Sequence, residues 1–213
     1  MKDLIIIGAG GVGGFLAYNH EHLTNEYRLI GFLDDNENIV GQQKFGYKIL
    51  GTTAQSAKYS DCAFLLGIAF PIVKEQIITR LAHLNLDYIN YISPYAYISS
   101  GVNIGKGVIV YPQTFINHHC QIGNFATINS CCTVGHDCKL SDFVTLAPNT
   151  SLAGYTQCLE ASDIGIGATT KQNIIIGQKA IVGGQAMVIN DVPDYAVVAG
   201  VPAKILKYNN NEQ

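Results

Sequence analysis

The sequence predicts a small parallel α/β domain followed by a triangular β-solenoid, and three observations carry that reading. From Ile92 to Val188, seventeen positions spaced six residues apart are filled almost wholly by aliphatic side chains. Four residues after each of these comes a small side chain. Ahead of the repeat, apolar runs alternate with helical patterns, and the first run ends in a glycine-rich turn.

In chain order, Leu4–Gly8 reads as a buried strand, Gly13–Leu23 as a helix, and Tyr27–Leu33 as a second strand ending at Asp34-Asp35. Cys62–Ile68 gives a third strand, Val73–Leu84 an amphipathic helix after Pro71, and Tyr88–Ile92 a fourth strand that leads into the repeat. Strands alternating with helices build a parallel sheet. Residues 1–91 are therefore expected to form an α/β domain, and residues 92–213 the solenoid with a C-terminal extension.

The first strand–helix turn, Gly8-Ala9-Gly10-Gly11-Val12-Gly13, fits the dinucleotide fingerprint, with acidic residues about twenty positions on. Glycines there let a backbone approach a phosphate at a helix N-terminus, although a tight turn can also need them for packing alone. About 90 residues supply one mononucleotide half before the repeat begins, which suits a mononucleotide or nucleotide-sugar better than NAD. Asp34 and Asp35 can then accept hydrogen bonds from a ribose or a base edge; the alternative is a solvated loop continued by Asn36, Glu37 and Asn38. Gly67, at the end of the third strand, either packs closely or faces the ligand crevice.

Of the seventeen register positions, fifteen are Ile, Val or Leu; Cys158 and Thr170 are the exceptions. A period of six matches neither a helix nor an isolated strand. It is the period of a prism in which each face turns two residues inward and three faces close an eighteen-residue coil. The second inward position, from Ala96 to Ala186, stays small except at Ile174, because a narrow corner has little room.

Composition sets limits on partners. Charged residues are 14% of the 213, against roughly 25% in ordinary soluble proteins, so burial against further copies of the chain is expected. A net charge of −3 gives no basic footprint for nucleic acid or an anionic membrane. The longest apolar run, Cys62–Val73, has twelve residues and contains Pro71, short of the ~20 that cross a bilayer. With no signal-peptide pattern at the N-terminus and cysteines that read as core residues (Cys120, Cys132, Cys138 and Cys158), a cytoplasmic, reducing location is expected. No C-x-x-C pair occurs, which argues against a zinc or redox site.

Solenoid corners fall two and three positions after each register residue, and only two of them carry histidine: His118-His119 and His136-Asp137. An imidazole supported by a carboxylate can take a proton from an attacking amine or hydroxyl, so His136 with Asp137 is the candidate for chemistry; an ordinary polar corner is the alternative. His118 and His136 lie one coil apart on one edge, about the 4.8 Å of neighbouring strands, which leaves a shared ion open. The absence of an H-x4-H pair speaks against it, and no metal is expected.

Taken together, Ile7–Gly13, Phe32-Leu33-Asp34-Asp35, Val134-Gly135-His136-Asp137-Cys138, Leu152-Ala153-Gly154 and Gly200-Val201-Pro202-Ala203-Lys204 carry a resemblance over about residues 3–207. The chain resembles the left-handed β-helix, hexapeptide-repeat sugar acetyltransferases of the bacillosamine N-acetyltransferase and sialic acid O-acetyltransferase type. That resemblance implies a half-Rossmann-like domain followed by a left-handed parallel β-helix, a homotrimer, and acetyl-CoA in a groove between neighbouring prisms. It also implies that His136 is the general base and Asp137 its support. On the donor side it implies contacts from Thr145, Gly154, Ile166 and Gly184; on the nucleotide-sugar side, from Gly10, Gly11, Val12, Asp34, Gly67 and Asn129. Val12 stands where relatives often have histidine, and Thr145 where some have a second one. The expected activity is N-acetylation of a 4-amino-4,6-dideoxy sugar carried on UDP rather than dTDP, for surface glycan assembly. O-acetylation of a sialic acid or related sugar, and a non-catalytic nucleotide-sensing or scaffolding trimer, are the alternatives.

Overall fold

The computed structural model describes residues 1–23 and 26–209, so residues 210–213 of the expected C-terminal extension lie outside it. The chain divides into two compact units, Met1–Ala69 with Val73–Tyr91, and Phe70–Ile72 with the residues from Ile92 onward.

In the first unit, strand β1 (Lys2–Ile7) is followed by helix α1 (Gly11–Asn19) and β2 (Tyr27–Leu33). Strands β3 (Gln43–Lys44) and β4 (Tyr47–Gly51) come next, then β5 (Ala63–Leu66), α2 (Pro71–Leu81) and β6 (Asp87–Tyr88). The sheet order is β3-β4-β2-β1-β5-β6. All neighbouring pairs are parallel except the hairpin β3–β4. Leu4 to Ile7 are fully buried, as a central parallel strand covered on both faces requires. Order reverses at β1, so the crevice at the carboxyl ends of β1 and β5 is the switch point where this class of sheet holds ligands.

The sequence reading counted four strands here, and the structure has five parallel ones plus the edge strand β3. The missing hairpin turns at Phe45-Gly46, both with positive φ (51° and 83°). A phenylalanine is a poor signal for such a turn, which favours Asn, Asp or Gly. Its ring explains its presence: Phe45 lies edge-on to Tyr18 and Phe32 at 6.0 and 6.1 Å. A Cβ on Gly14 would come within 2.7 Å of it. The expected fourth strand is also split, into β6 and a separate pair, Tyr91–Ile92, that opens the solenoid.

In the second unit, two-residue strands recur every six residues from Tyr91–Ile92 to Met187–Val188 and stack into three parallel sheets. Each register residue pairs with the one eighteen positions on, as Ile116 with Val134 and Val134 with Leu152. Ile92 is exposed and Ile98 and Ile104 are half-buried at the start of the prism, whereas every register residue from Val110 onward is buried. The last strands, Ala196–Ala199 and Lys204–Tyr208, close the far end as an antiparallel pair.

Two hydrogen-bond patterns explain the sequence of each coil. Small polar residues at the inward position donate to a corner carbonyl fifteen residues later: Thr114 Oγ1 to Asn129 O at 2.7 Å, Cys120 Sγ to Gly135 O at 3.0 Å, Cys132 Sγ to Ala147 O at 3.1 Å. A buried hydroxyl or thiol is thereby partnered. Burial pushes the Cys158 thiol up to about 12 and the Cys132 thiol up to about 11, so both stay protonated core groups. At the corners from Gly101 to Gln185 the third residue after the register position is left-handed, with φ of 53–64° at the twelve non-glycine examples from Gln113 onward. The conformation costs about 1–2 kcal/mol per residue; it is offset where the N–H meets a carbonyl of the coil below, as Asp137 N to His118 O at 3.1 Å and Tyr155 N to His136 O at 3.0 Å.

Candidate active site

The corner that follows register residue Val134 carries the histidine–carboxylate pair. Left-handed φ at Asp137 (58°) turns its carboxylate back on the preceding residue, and His136 Nδ1 lies 2.8 Å from Asp137 Oδ2. The other oxygen, Oδ1, is 3.6 Å from His119 Nδ1 on the coil below. The His136 hydrogen bond, helped by the surrounding imidazoles, holds the Asp137 carboxyl below its ordinary value, so it is ionised. With Nδ1–H donating to that carboxylate, the lone pair of His136 is directed to Nε2.

Three neighbours fix the ring. His118 stacks on it at 5.6 Å with planes 18° apart, and Tyr155 meets it edge-on at 5.1 Å. Gly154, one coil above, faces its reactive edge: a Cβ there would stand 2.7 Å from both Cε1 and Nε2. Glycine at 154 therefore keeps the Nε2 lone pair accessible. The sequence places His118 one coil from His136 on the same edge; the contact of His119 with Asp137 and the approach of Tyr155 to the ring are added by the structure, and their eighteen-residue spacing from Asp137 is the signal for them.

The remaining donor-side candidates lie on a different edge of the prism. Ile166 and Gly184 occupy one corner column, one coil apart, with the Cβ position of Gly184 3.2 Å from Ile166 O; Ile166 is exposed by 57%. The six-residue steps put that column at the opposite end of one prism face from His136 and Gly154. Thr145 and Asn129 sit on the adjoining face, Thr145 buried in its strand and Asn129 bound through Nδ2 to Leu146 O at 3.1 Å. One chain thus joins His136, Asp137 and Gly154, and holds Ile166, Gly184, Thr145 and Asn129 apart from them.

In the α/β unit the glycines divide by what surrounds them. A Cβ on Gly13 would stand 1.9 Å from Gly8 O, and one on Gly67 would stand 2.8 Å from Gly13 Cα, so both serve the contact between α1 and the sheet. For Gly67, the close packing that the sequence allowed is present. Gly10 and Gly11 are exposed, have no positive φ and face open space. Neither packing nor backbone strain requires them, and the backbone they leave uncovered lies at the N-terminus of α1. Val12 is half-buried beside them.

Asp34 ties this turn to the end of β2: its Oδ2 accepts from Ala9 N at 2.7 Å and its Oδ1 from Asn36 N at 2.9 Å. Each oxygen retains a second lone pair that can receive a hydroxyl. Asp35 is turned elsewhere. Its carboxylate accepts from Thr53 N (2.9 Å) and Thr53 Oγ1 (2.7 Å) and pairs with Arg80. Burial raises the Asp35 pKa, but the Thr53 and Arg80 contacts outweigh it and leave the carboxyl below its usual value. Its geometry is that of a structural anchor between the β2 end and α2, in place of the base-edge contact expected from sequence. Lys44, which the missed hairpin hid, donates to Ala9 O at 3.2 Å and brings an ammonium to the glycine turn.

Comparison with known proteins places this architecture. The PglD N-terminal domain family matches residues 3–81. The acetyltransferase domain of PglB from Neisseria gonorrhoeae, solved in complex with acetyl coenzyme A, is 31% identical, with 96% of this chain and 99% of that one covered at a TM-score of 0.89. Perosamine N-acetyltransferase from Caulobacter crescentus, solved with CoA and GDP-perosamine, is 26% identical over 97% of this chain and 98% of that one, again at a TM-score of 0.89. Serine acetyltransferase from Haemophilus influenzae is 49% identical over 43 residues, 20% of this chain. The curated relatives are matched over only 16% of their own length. No described helix is long and apolar enough to cross a membrane. From the near-complete overlap with the PglB domain and from the shared Rossmann-like unit and parallel β-helix, the chain belongs to the left-handed β-helix, hexapeptide-repeat sugar acetyltransferases, a family of acyltransferases.

Proposed function

We propose that this chain transfers an acetyl group from acetyl-CoA to the 4-amino group of a nucleotide-linked amino-dideoxy sugar, with UDP preferred to dTDP, in surface glycan assembly. The observation that carries the reading is the His136–Asp137 contact at 2.8 Å, with the Nε2 edge of the ring left open by Gly154. Acetyl-CoA would supply the thioester carbonyl, the new C–N bond forming as the C–S bond breaks and CoA leaves as its thiol. His136 Nε2 takes the proton of the attacking amine, and Asp137 stabilises the imidazolium that results. The backbone N–H of Gly154 is the candidate donor to the carbonyl oxygen as negative charge develops there. His136 then returns its proton to the departing sulfur. No metal is required by these steps.

The acceptor's diphosphate would lie on the open backbone of Gly10, Gly11 and Val12 at the start of α1, with Lys44 as the nearby cation and Asp34 receiving a ribose hydroxyl. Asn129, Thr145, Ile166 and Gly184 would contact the donor or acceptor from a second prism edge. Because that edge and the His136 corner sit at opposite ends of one face, a complete site needs a neighbouring copy, which supports a homotrimer with parallel prism axes. Six free cysteines, five of them buried, suit a reducing cytoplasm.

The test is release of free CoA thiol from acetyl-CoA by purified protein offered UDP-, dTDP- and GDP-linked 4-amino-4,6-dideoxy sugars, with free and nucleotide-activated sialic acids as O-acceptors. Turnover is expected with an amino sugar, UDP-linked first. Turnover only with sialic acids would favour the O-acetyltransferase, and none with any acceptor would leave the scaffolding trimer.

A further inference from the structure

Among the described residues, one group of three metal-ligating side chains converges: His118, His119 and Asp137, whose ligand atoms all lie within 4.8 Å of one another. His118 packs on the His136 ring, but no step of the acetyl transfer uses a ring nitrogen of His118 or His119. His118 and His119 are exposed, with rings 4.8 Å apart and nearly perpendicular, and neither reaches the Nε2 edge where the amine would stand. His119 Nδ1 is already 3.6 Å from Asp137 Oδ1. Two ligands about 2.1 Å from a tetrahedral ion stand about 3.4 Å apart, so that pair is close to coordinating distance. The frame beneath them is fixed, because His119 and Asp137 are left-handed corner residues (φ 59° and 58°) on adjacent coils, and Asp137 N is bonded to His118 O. The ligand atom of the third residue, His118, lies within 4.8 Å of the other two.

We propose that His118, His119 and Asp137 form a binding site for a divalent transition-metal ion, Zn²⁺ or Co²⁺ in type, and that its occupancy inhibits the neighbouring His136. Two imidazoles and one carboxylate suit borderline cations and not Mg²⁺ or Ca²⁺, which prefer all-oxygen sets. Three protein ligands leave a fourth position for water. The inhibition follows from the shared carboxylate: Asp137 gives Oδ2 to His136 and Oδ1 to the ion. An ion that draws Asp137 toward His118 and His119 competes with the 2.8 Å contact that orients the His136 ring. The binding half of the proposal stands on the geometry alone; the inhibitory half rests on His136 being the base.

The experiment titrates Zn²⁺ by calorimetry and Co²⁺ by its visible absorption into the purified full-length protein without substrates, in wild type, His119→Asn and His118→Phe. Asn tolerates the left-handed corner at 119, and Phe preserves a ring against His136 while removing a donor. Saturable binding of one ion per chain is expected, weakened by at least about tenfold in each variant, since even outer partners of a metal site cost that much. Mg²⁺ should not compete. In the acetyl-transfer assay, with each protein compared with its own metal-free rate, Zn²⁺ at concentrations that silence the wild type should leave His119→Asn uninhibited. Absence of saturable binding, or equal affinity in all three proteins, overturns the site. Binding without any loss of wild-type turnover overturns the inhibition. A protein that binds the ion as expected but acetylates nothing sustains the site and refutes the proposed function.

Discussion

The α/β unit and the solenoid use special backbone positions in opposite ways. In the solenoid the corners from Gly101 to Gln185 repeat one geometry, and the left-handed position accepts Gln113, Phe125, Cys131, Phe143, Tyr155, Lys179 and others with nearly the same φ. Because the coil imposes that conformation whatever the side chain, a corner residue is free to be chosen for chemistry. In the α/β unit each special residue answers to its own surroundings: Gly13 to Gly8 O, Gly14 to the Phe45 ring, Asp35 to Thr53 and Arg80. A departure from pattern is therefore informative in the solenoid, while in the α/β unit it first has to be cleared of a packing explanation.

That contrast can be broken by mutation, beginning with the α/β unit. Gly13→Ala forces a Cβ to 1.9 Å from a backbone oxygen, so loss of about 3 kcal/mol or more, or failure to fold, is expected in denaturant unfolding. Gly11→Ala, facing open space, should be near neutral in the same assay. If both are tolerated alike, the division of the glycines is wrong.

On the solenoid side, Gly154→Ala places a methyl against the His136 edge. It should cost less stability than Gly13→Ala, since a half-buried side-chain ring and not backbone has to move, yet lower turnover by about 10–10²-fold, part of what a positioned base contributes. An unchanged rate would mean that the Nε2 edge is not where the amine stands. Asp137→Asn should cost less than loss of the imidazole itself, because the ring remains but its imidazolium loses charged support.

Smaller effects belong to the nucleotide side. UDP should raise the melting temperature of the wild type, as any ligand specific for the native state must, and Lys44→Gln should reduce that shift without altering the unliganded protein. Protection by NAD but by no nucleoside diphosphate would contradict the reading of the glycine turn. Smallest is the Asp35 anchor. Its carboxyl is held below the ordinary value in the folded chain, so its stabilisation is present above about pH 3.9 and fades as pH falls through the lower folded value. Asp35→Asn should be less stable than wild type at neutral pH and converge with it in acid.

How much of this was readable from sequence followed the same divide. The period of six put the register residues, the small inward positions and the corners in place at once, down to Cys120, Cys132 and Cys138 inside and Cys131 outside. The pairing of His136 with Asp137 was foreseeable from their adjacency at one corner, and the left-handed φ of Asp137 accompanies the contact. The hairpin at Phe45-Gly46 was not, since its turn is stabilised by a ring packing on Gly14, a contact no local pattern announces. Asp34 and Asp35 look equivalent in sequence and separate only when Thr53 and Arg80 are brought beside one of them. Ile166 and Gly184 carry no chemical signal of their own and were named from resemblance.

The central claim is that the corner at 136–137 holds the proton acceptor, and its most direct test compares His136→Ala with the wild type at saturating acetyl-CoA and amino-sugar acceptor. Sedimentation and acetyl-CoA binding should be unchanged while turnover falls by about 10²–10⁴-fold, the usual contribution of a general base. Near-normal turnover in a folded His136→Ala protein would contradict the account and move the chemistry to another part of the chain.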